Sequence, residues 1–411
     1  MIQPTRVFVS RPEGARIQLL VAVFIATVGL HVQLGDVTGS DLAARSQFVV
    51  ADLVAIALVV ASGGALVGGP LRRWVPFGAW LAFNCLVWGE FGRYAIVNKL
   101  AGIGLLVLAC SAIVGHLRRR GEGATLAAAE FFITVAAVES VIAVVALQLS
   151  PEAVLPFNVP LNFGGVRASG FMVDPNAFGG FAAVALMLSL GLARAARRPS
   201  VHRLREVVLF AGVFFSYSRT VWAAVVLAGA YLLFTSSNRT RARFVVLGLT
   251  AAMLYVTLKI SLPVDRDLVV RSFTVEQRTS GAEAAVREWQ TSPLIGIGVG
   301  QYVSRHQFIV HNSPLWVLTE LGAVGLAIFA YASAGLVQSL RRCARTAPWM
   351  YRGLVSGAIA VATMGMGIEI MYQRYVWLLF AIVYASATLQ PADEQPNTAA
   401  GLSRLGGAAA V

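Results

Sequence analysis

Arg167, Arg219, Arg278, Arg287 and His311 stand out in this sequence because most of what surrounds them is apolar. Each lies in a connection between apolar stretches. A guanidinium keeps its charge at physiological pH and meets phosphate oxygens in pairs. An imidazole exchanges its proton near neutrality. Several arginines gathered round one histidine would bind a doubly charged headgroup and set a general base beside it. Asp174, Asn176, Asn312 and Glu320 are the supporting polar positions. Plainer roles compete for the same residues. An arginine at a helix end commonly snorkels to the membrane interface. Asn312 and the "DPN" of residues 174–176 suit helix starts. For His311 a hydrogen-bonded structural role stands beside the catalytic one. Arg219 is the most exposed to cost, since "FFSYSRTVW" leaves almost no loop between two apolar segments and a half-buried charge there needs a use.

The elements that must position these groups are membrane spans. The 411-residue chain is 57% hydrophobic and 13% charged, against about 25% charged in a soluble domain. Apolar stretches long enough to cross a bilayer recur along it. The pattern predicts an all-α polytopic membrane protein with about twelve spans, near 17–33, 47–69, 74–90, 97–117, 125–149, 176–194, 206–217, 219–236, 243–261, 312–339, 353–370 and 373–389. Most of the 33 basic residues fall in alternate connections: Arg6, Arg11 and Arg16, then Arg72 and Arg73, Arg118 to Arg120, Arg194 to Arg205, Arg239 to Arg243, and Arg341 to Arg352. The positive-inside rule makes that side cytoplasmic, with both termini on it. The net charge of +13 thus follows from topology and does not call for nucleic acid. The first apolar segment reads as a span, without a cleavage site. Cys85, Cys110 and Cys343 make neither a disulfide framework nor a metal set. The sequon at Asn238 falls in a cytoplasmic connection.

Residues 1–390 form one transmembrane domain, and the Pro/Gly/Ala-rich tail 391–411 is expected to be a disordered cytoplasmic segment. Two outer connections are long, about 150–175 and about 262–311, and long ordered loops are where function tends to sit. In the second, "GAEAAVREWQ" (281–290) predicts a short interfacial helix and "SPLIGIGVG" a tight Gly-rich turn. "DRD" at 265–267 resembles the acid pair of some metal-dependent enzymes, but three residues in a polar loop do not make a metal site. Glu130, Glu139, Glu320 and Glu369 lie within spans, where a proton path is one reading that their spacing does not decide. A transporter would be expected to show internal repeats and broken helices near the midplane, and the sequence holds no convincing repeat.

Four motifs occur in order: "RASGFMVDPNAFGG" from Arg167, "SYSRTVW" from Ser216, "SPLIGIGVGQY" from Ser292 and "HNSPLWVLTELGAVGL" from His311. Over about 165–330 they resemble the bacterial O-antigen ligase and polysaccharide polymerase family. The resemblance implies a metal-independent, cofactor-free glycosyltransferase of the bacterial inner membrane with its active site facing the periplasm. It implies an undecaprenyl-diphosphate-linked glycan as donor, and a glycan or lipid A core hydroxyl as acceptor. The bilayer, and a chain-length regulator or flippase, are the implied partners. Arg167, Arg219 and Arg278 correspond to the diphosphate-binding arginines and His311 to the catalytic histidine. The sequence departs from the pattern at Gly281, where the family carries an aromatic residue soon after the arginine. That makes Arg287 the rival to Arg278. Attack opposite the diphosphate would invert the anomeric centre. The modest second outer loop favours a polymerase over a ligase. A transporter and a non-catalytic assembly subunit are the readings from other classes.

Overall fold

The computed structural model describes residues 12–30, 49–63, 69–89, 91–92, 94–149, 158–160, 166–172, 174–192, 199–235, 244, 247–248 and 272–390. Helices α1 (Pro12–Thr27), α2 (Val50–Ser62) and α3 (Gly69–Trp88) come first. A π-helical segment, Tyr94–Ala101, leads into α4 (Gly102–Arg120), and α5 (Glu122–Leu149) follows. Then come α6 (Pro175–Leu192), α7 (Pro199–Phe215), α8 (Arg219–Thr235), α9 (Ser272–Thr291) and the short α10 (Gln301–His306). The chain continues through α11 (Ser313–Thr346), α12 (Pro348–Gly365) and α13 (Arg374–Ser386). The all-α expectation meets one exception. Before α6, β1 (Asn158–Pro160) pairs antiparallel with β2 (Val166–Ala168), with Val159 opposite Arg167.

Among the described residues, four helices are long and apolar enough to cross a membrane: Ala95–Arg120, Glu122–Leu147, Pro175–Leu192 and Ser313–Thr346. Gly14–Thr27, Val50–Ser62, Arg219–Thr235 and Arg374–Ser386 are shorter apolar helices. This is an integral membrane protein. The expected span 243–261 lies almost wholly outside the described residues. Asn238, Asp265 to Asp267 and the tail 391–411 lie outside them too.

Two helices form the interior. Nearly every residue of α6 is buried, and so is every residue of α13 from Tyr375 to Ser386. Lipid is as apolar as leucine, so helices here must gain from close packing. Glycine permits it: a Cβ on Gly191 would lie 2.1 Å from Gly353 Cα, so α6 and α12 meet backbone to backbone. Two buried charges are paired. Arg374, opening α13, donates from Nε and Nη2 to the two carboxylate oxygens of Asp52 on α2, at 2.9 and 2.6 Å. Lys99 in the π-helical segment pairs with Glu369, and its ammonium lies 3.9 Å from the Trp316 ring centre and 4.2 Å from that of Tyr372.

The long helix α11 is not continuous. Gly322 has φ 71° and ψ −174°, which breaks it about three turns from its start. Backbone groups freed inside a membrane protein need partners. The Gly-rich turn supplies them. Ile297 N donates to Thr319 O and Gly298 N to Glu320 O, while Ala323 N donates to Pro293 O and Val324 N to Leu294 O. Two side chains of α3 hold the splice from outside: Trp80 Nε1 donates to Leu321 O, and Asn84 bridges Ile295 O and Val299 N. At Gly322 a Cβ would fall 2.2 Å from Leu294 O, and at Gly296 (φ 77°) 2.3 Å from Glu320 O. Both positions therefore need glycine twice over, for dihedral and for space. Gly322→Ala is expected to destabilise the fold by at least about 1–3 kcal/mol. A clear fall in the thermal midpoint of the detergent-solubilised protein checks this, and an unchanged midpoint would count against the splice.

Candidate functional site

Arg167, on β2, reaches two neighbours. Its Nε donates to Ser216 O at 2.7 Å and its Nη2 to Asn176 Oδ1 at 3.0 Å. One side chain thus ties β2 to the start of α6 and to the α7–α8 hairpin. Asp174 opens α6: its Oδ1 accepts from Asn176 N at 2.9 Å and from Asn176 Nδ2 at 2.8 Å. Asn176 is thereby turned so that its amide oxygen faces Arg167.

The hairpin is tight because α7 ends on a left-handed residue, Tyr217, with φ 48°. Aromatic packing holds that turn. Phe214 stacks on Trp222 with ring centres 5.6 Å apart, and Trp222 Nε1 donates back to Val213 O. The consequence is that α8 starts at Arg219, which is exposed, followed directly by Thr220. Arg278 on α9 reaches that first turn: its Nη1 lies 3.4 Å from Thr220 Oγ1. Its Nε is buried and finds no hydrogen-bond partner among the described residues.

His311 precedes α11. Asn312 does what its type suggested, accepting from Leu315 N at 2.8 Å as the helix cap. It also donates from Nδ2 to Met366 O at 3.0 Å. Ser313 Oγ donates to Ile368 O and accepts from Ile370 N. The α12–α13 loop is thus bound to the start of α11, and Gly367 of that loop abuts Thr220. His311 packs edge-on against Phe308, with ring centres 5.1 Å apart. Phe308 in turn covers Gly281, where a Cβ would lie 2.7 Å from its ring. Phe308 thus fills the space between Gly281 and His311.

Electrostatics couple these groups. Burial, and then Arg219, press Arg278 below its ordinary value, while Asp174 opposes them. Burial, and then the charge of Arg278, hold the His311 imidazole below its ordinary value, with Asp174 again opposing. Two arginines with one exposed aspartate between them leave positive charge incompletely balanced, and an anion would relieve that cost. His311 is neutral at neutral pH and therefore able to accept a proton.

The structure brings Arg167, Asp174, Asn176, Arg219, Arg278, His311 and Asn312 together. Arg287 does not join them. It is 67% exposed and lies 3.9 Å from Glu283 on the same helix. Glu320 is buried inside α11 and accepts from Trp316 Nε1 at 2.6 Å, while Lys99 and Glu369 lie within electrostatic reach of it. The other glutamates have separate surroundings: Glu130 pairs with Arg205 and His202, and Glu139 accepts from Phe171 N. Thr220 and Phe308 are participants that sequence reasoning missed, and neither carried a visible signal. Lys99, a charge within an apolar stretch, lies instead with Glu369 and Glu320.

Fold and site together define an integral membrane protein with a cationic, histidine-bearing cluster of side chains where several helices begin. Residues 207–330 match the family model described as O-antigen ligase. That match supports an O-antigen ligase/polymerase family membrane protein, and with it a glycosyltransferase-like enzyme. It takes in Arg219, Arg278 and His311 and stops short of Arg167. It does not favour the transporter reading, and the break at Gly322 is plugged by the Pro293–Gly298 backbone. No curated protein matches the chain.

The lowered His311 value gives a pH expectation. An unfolded histidine titrates near about 6.5. The folded group titrates lower, so its neutral form persists through neutral pH and is lost only on acidification below that figure. Activity that depends on His311 should be flat above neutrality and fall with a midpoint below about 6.5. Because Arg278 helps to depress the imidazole, Arg278→Gln should move the midpoint of the residual activity upward. A kcat/KM profile against pH checks both, and a midpoint unmoved in the variant would deny the coupling.

Proposed function

We propose that the protein is a metal-independent, inverting glycosyltransferase. It takes a glycan from undecaprenyl diphosphate and passes it to a sugar hydroxyl at the periplasmic face of the bacterial inner membrane. In this reading the chain crosses the membrane about twelve times, with both termini cytoplasmic and residues 1–390 as one domain. The outer loops about 150–175 and 262–311 frame the active site. The observation that carries the reading is the buried Nε of Arg278, without a partner among the described residues, beside Arg219 and His311.

The chemistry follows from those positions. Arg167, Arg219 and Arg278 hold the diphosphate, with guanidinium charge doing what a divalent cation does elsewhere. The acceptor hydroxyl attacks C1 of the donor sugar from the face opposite the diphosphate. His311 takes the hydroxyl proton as the new C–O bond forms. The bond from C1 to the diphosphate oxygen breaks, and the electron pair leaves on the diphosphate, where the arginines meet the growing negative charge. Asp174 and Asn176 orient Arg167, and Asn312 fixes the segment that carries His311.

The leading acceptor is a growing polymer of O-antigen or exopolysaccharide repeat units. The second reading is transfer to lipid A core, and the description of the matched family favours it. A deletion strain separates them: single repeat units on the cell surface glycan indicate a polymerase, whereas uncapped lipid A core with free polymer indicates a ligase. In a donor–acceptor assay His311→Ala is expected to lower kcat on the order of 10²–10⁴-fold. Arg278→Lys, which keeps the charge and loses the planar fork, should also reduce transfer. Excess chelator should leave the rate unchanged. A fully active His311→Ala protein would overturn the mechanism.

A further inference from the structure

Helices α3, α4, α11 and α13 enclose a cavity away from the candidate site. It has a volume of about 230 Å³ and is lined by Arg72 and Arg73 of α3, Arg118 of α4, and Gln338 and Arg342 of α11. That is on the order of eight water volumes, enough for a phosphate and the few atoms either side of it. From the break at Gly322 to Gln338, α11 runs roughly 24 Å at 1.5 Å per residue. The cavity therefore lies far along α11 from the end that follows His311.

Its charge is arranged, not merely concentrated. The lining includes no acidic residue, and no ion pair involves these four arginines among the described residues. Arg73 is held in place by neutral contacts. Its Nη2 donates to Gln338 Oε1 at 2.8 Å, and its guanidinium lies 4.7 Å from the Tyr331 ring centre. Its stem crosses Gly335, where a Cβ would come 2.9 Å from Arg73 Cγ. The guanidinium is thus fixed without being neutralised. Arg72, Arg118 and Arg342 are exposed, but with Arg73 they come from three helices and line one hollow.

We propose that this cavity is a binding site for a phosphate-bearing anion, separate from the candidate active site. Guanidinium forks match phosphate oxygens, and basic pockets between spans recognise anionic lipid headgroups. The shared chemistry is the phosphate group, delivered either by an anionic phospholipid or by a soluble phosphate.

The test uses the full-length protein in nanodiscs of phosphatidylcholine with or without phosphatidylglycerol. Native mass spectrometry counts the retained lipid, and thermal melts follow added inorganic phosphate. Arg73→Gln with Arg342→Gln is expected to reduce phosphatidylglycerol retention or the phosphate-induced shift about tenfold. Gly335→Leu, which displaces Arg73 and changes no charge, should do the same. Arg341→Gln with Arg345→Gln removes equal charge outside the cavity and should leave both readouts unchanged. Retained phosphatidylglycerol with no response to free phosphate assigns the lipid headgroup. A phosphate response that phosphatidylglycerol does not alter assigns a soluble anion. Equal losses in the two double variants, or no response to either probe, would overturn the proposal even if Gly335→Leu failed to fold.

Discussion

A backbone that leaves its helix inside apolar surroundings must find new partners for every freed amide and carbonyl. The chain meets that demand at Gly322, and the rest of the site depends on how it does so. The Pro293–Gly298 segment enters the break in α11 and is bonded on both sides of it, with Trp80 and Asn84 securing it from α3. That segment continues directly from α9. The helix carrying Arg278 and the helix following His311 are consequently joined by a rigid splice. The relation between cation and imidazole is then fixed by backbone hydrogen bonds, which are less compliant than side-chain contacts.

The remaining walls are fastened by single polar side chains that each serve two elements. Arg167 spans β2, α6 and the hairpin, while Asn312 and Ser313 bind the start of α11 to the loop before α13. The helices α6, α8 and α11 all begin here, so their amide ends add partial positive charge to that of the arginines. The result is a rim whose potential favours anions, with His311 kept neutral within it.

Much of this was legible in the sequence for one physical reason. Charge is expensive in an apolar chain, so Arg167, Arg219 and Arg278 announced themselves, as did the polar pair before α11. The glycines of "SPLIGIGVG" indicated a turn, though not that the turn repairs a helix 20 to 30 residues downstream. What stayed hidden were pairings between distant segments. Asp52 with Arg374 and Lys99 with Glu369 follow from packing that no local pattern encodes. Thr220 and Phe308 are ordinary residues until the fold sets them beside Arg278 and His311. The ribbon at Val159 and Arg167 is three residues per strand, too short for alternation to reveal.

The contact between Phe308 and Gly281 bears on how this site tolerates change. One volume beside His311 must be filled by an aromatic ring, and the ring is rooted on the later segment while the facing helix offers bare backbone. The two positions behave as one genetic unit. A bulky residue introduced at 281 is harmful while Phe308 remains and becomes permissible once 308 is small. Substitutions at this pair should therefore be strongly epistatic, and drift between the two arrangements would pass through either an overfilled or an empty pocket.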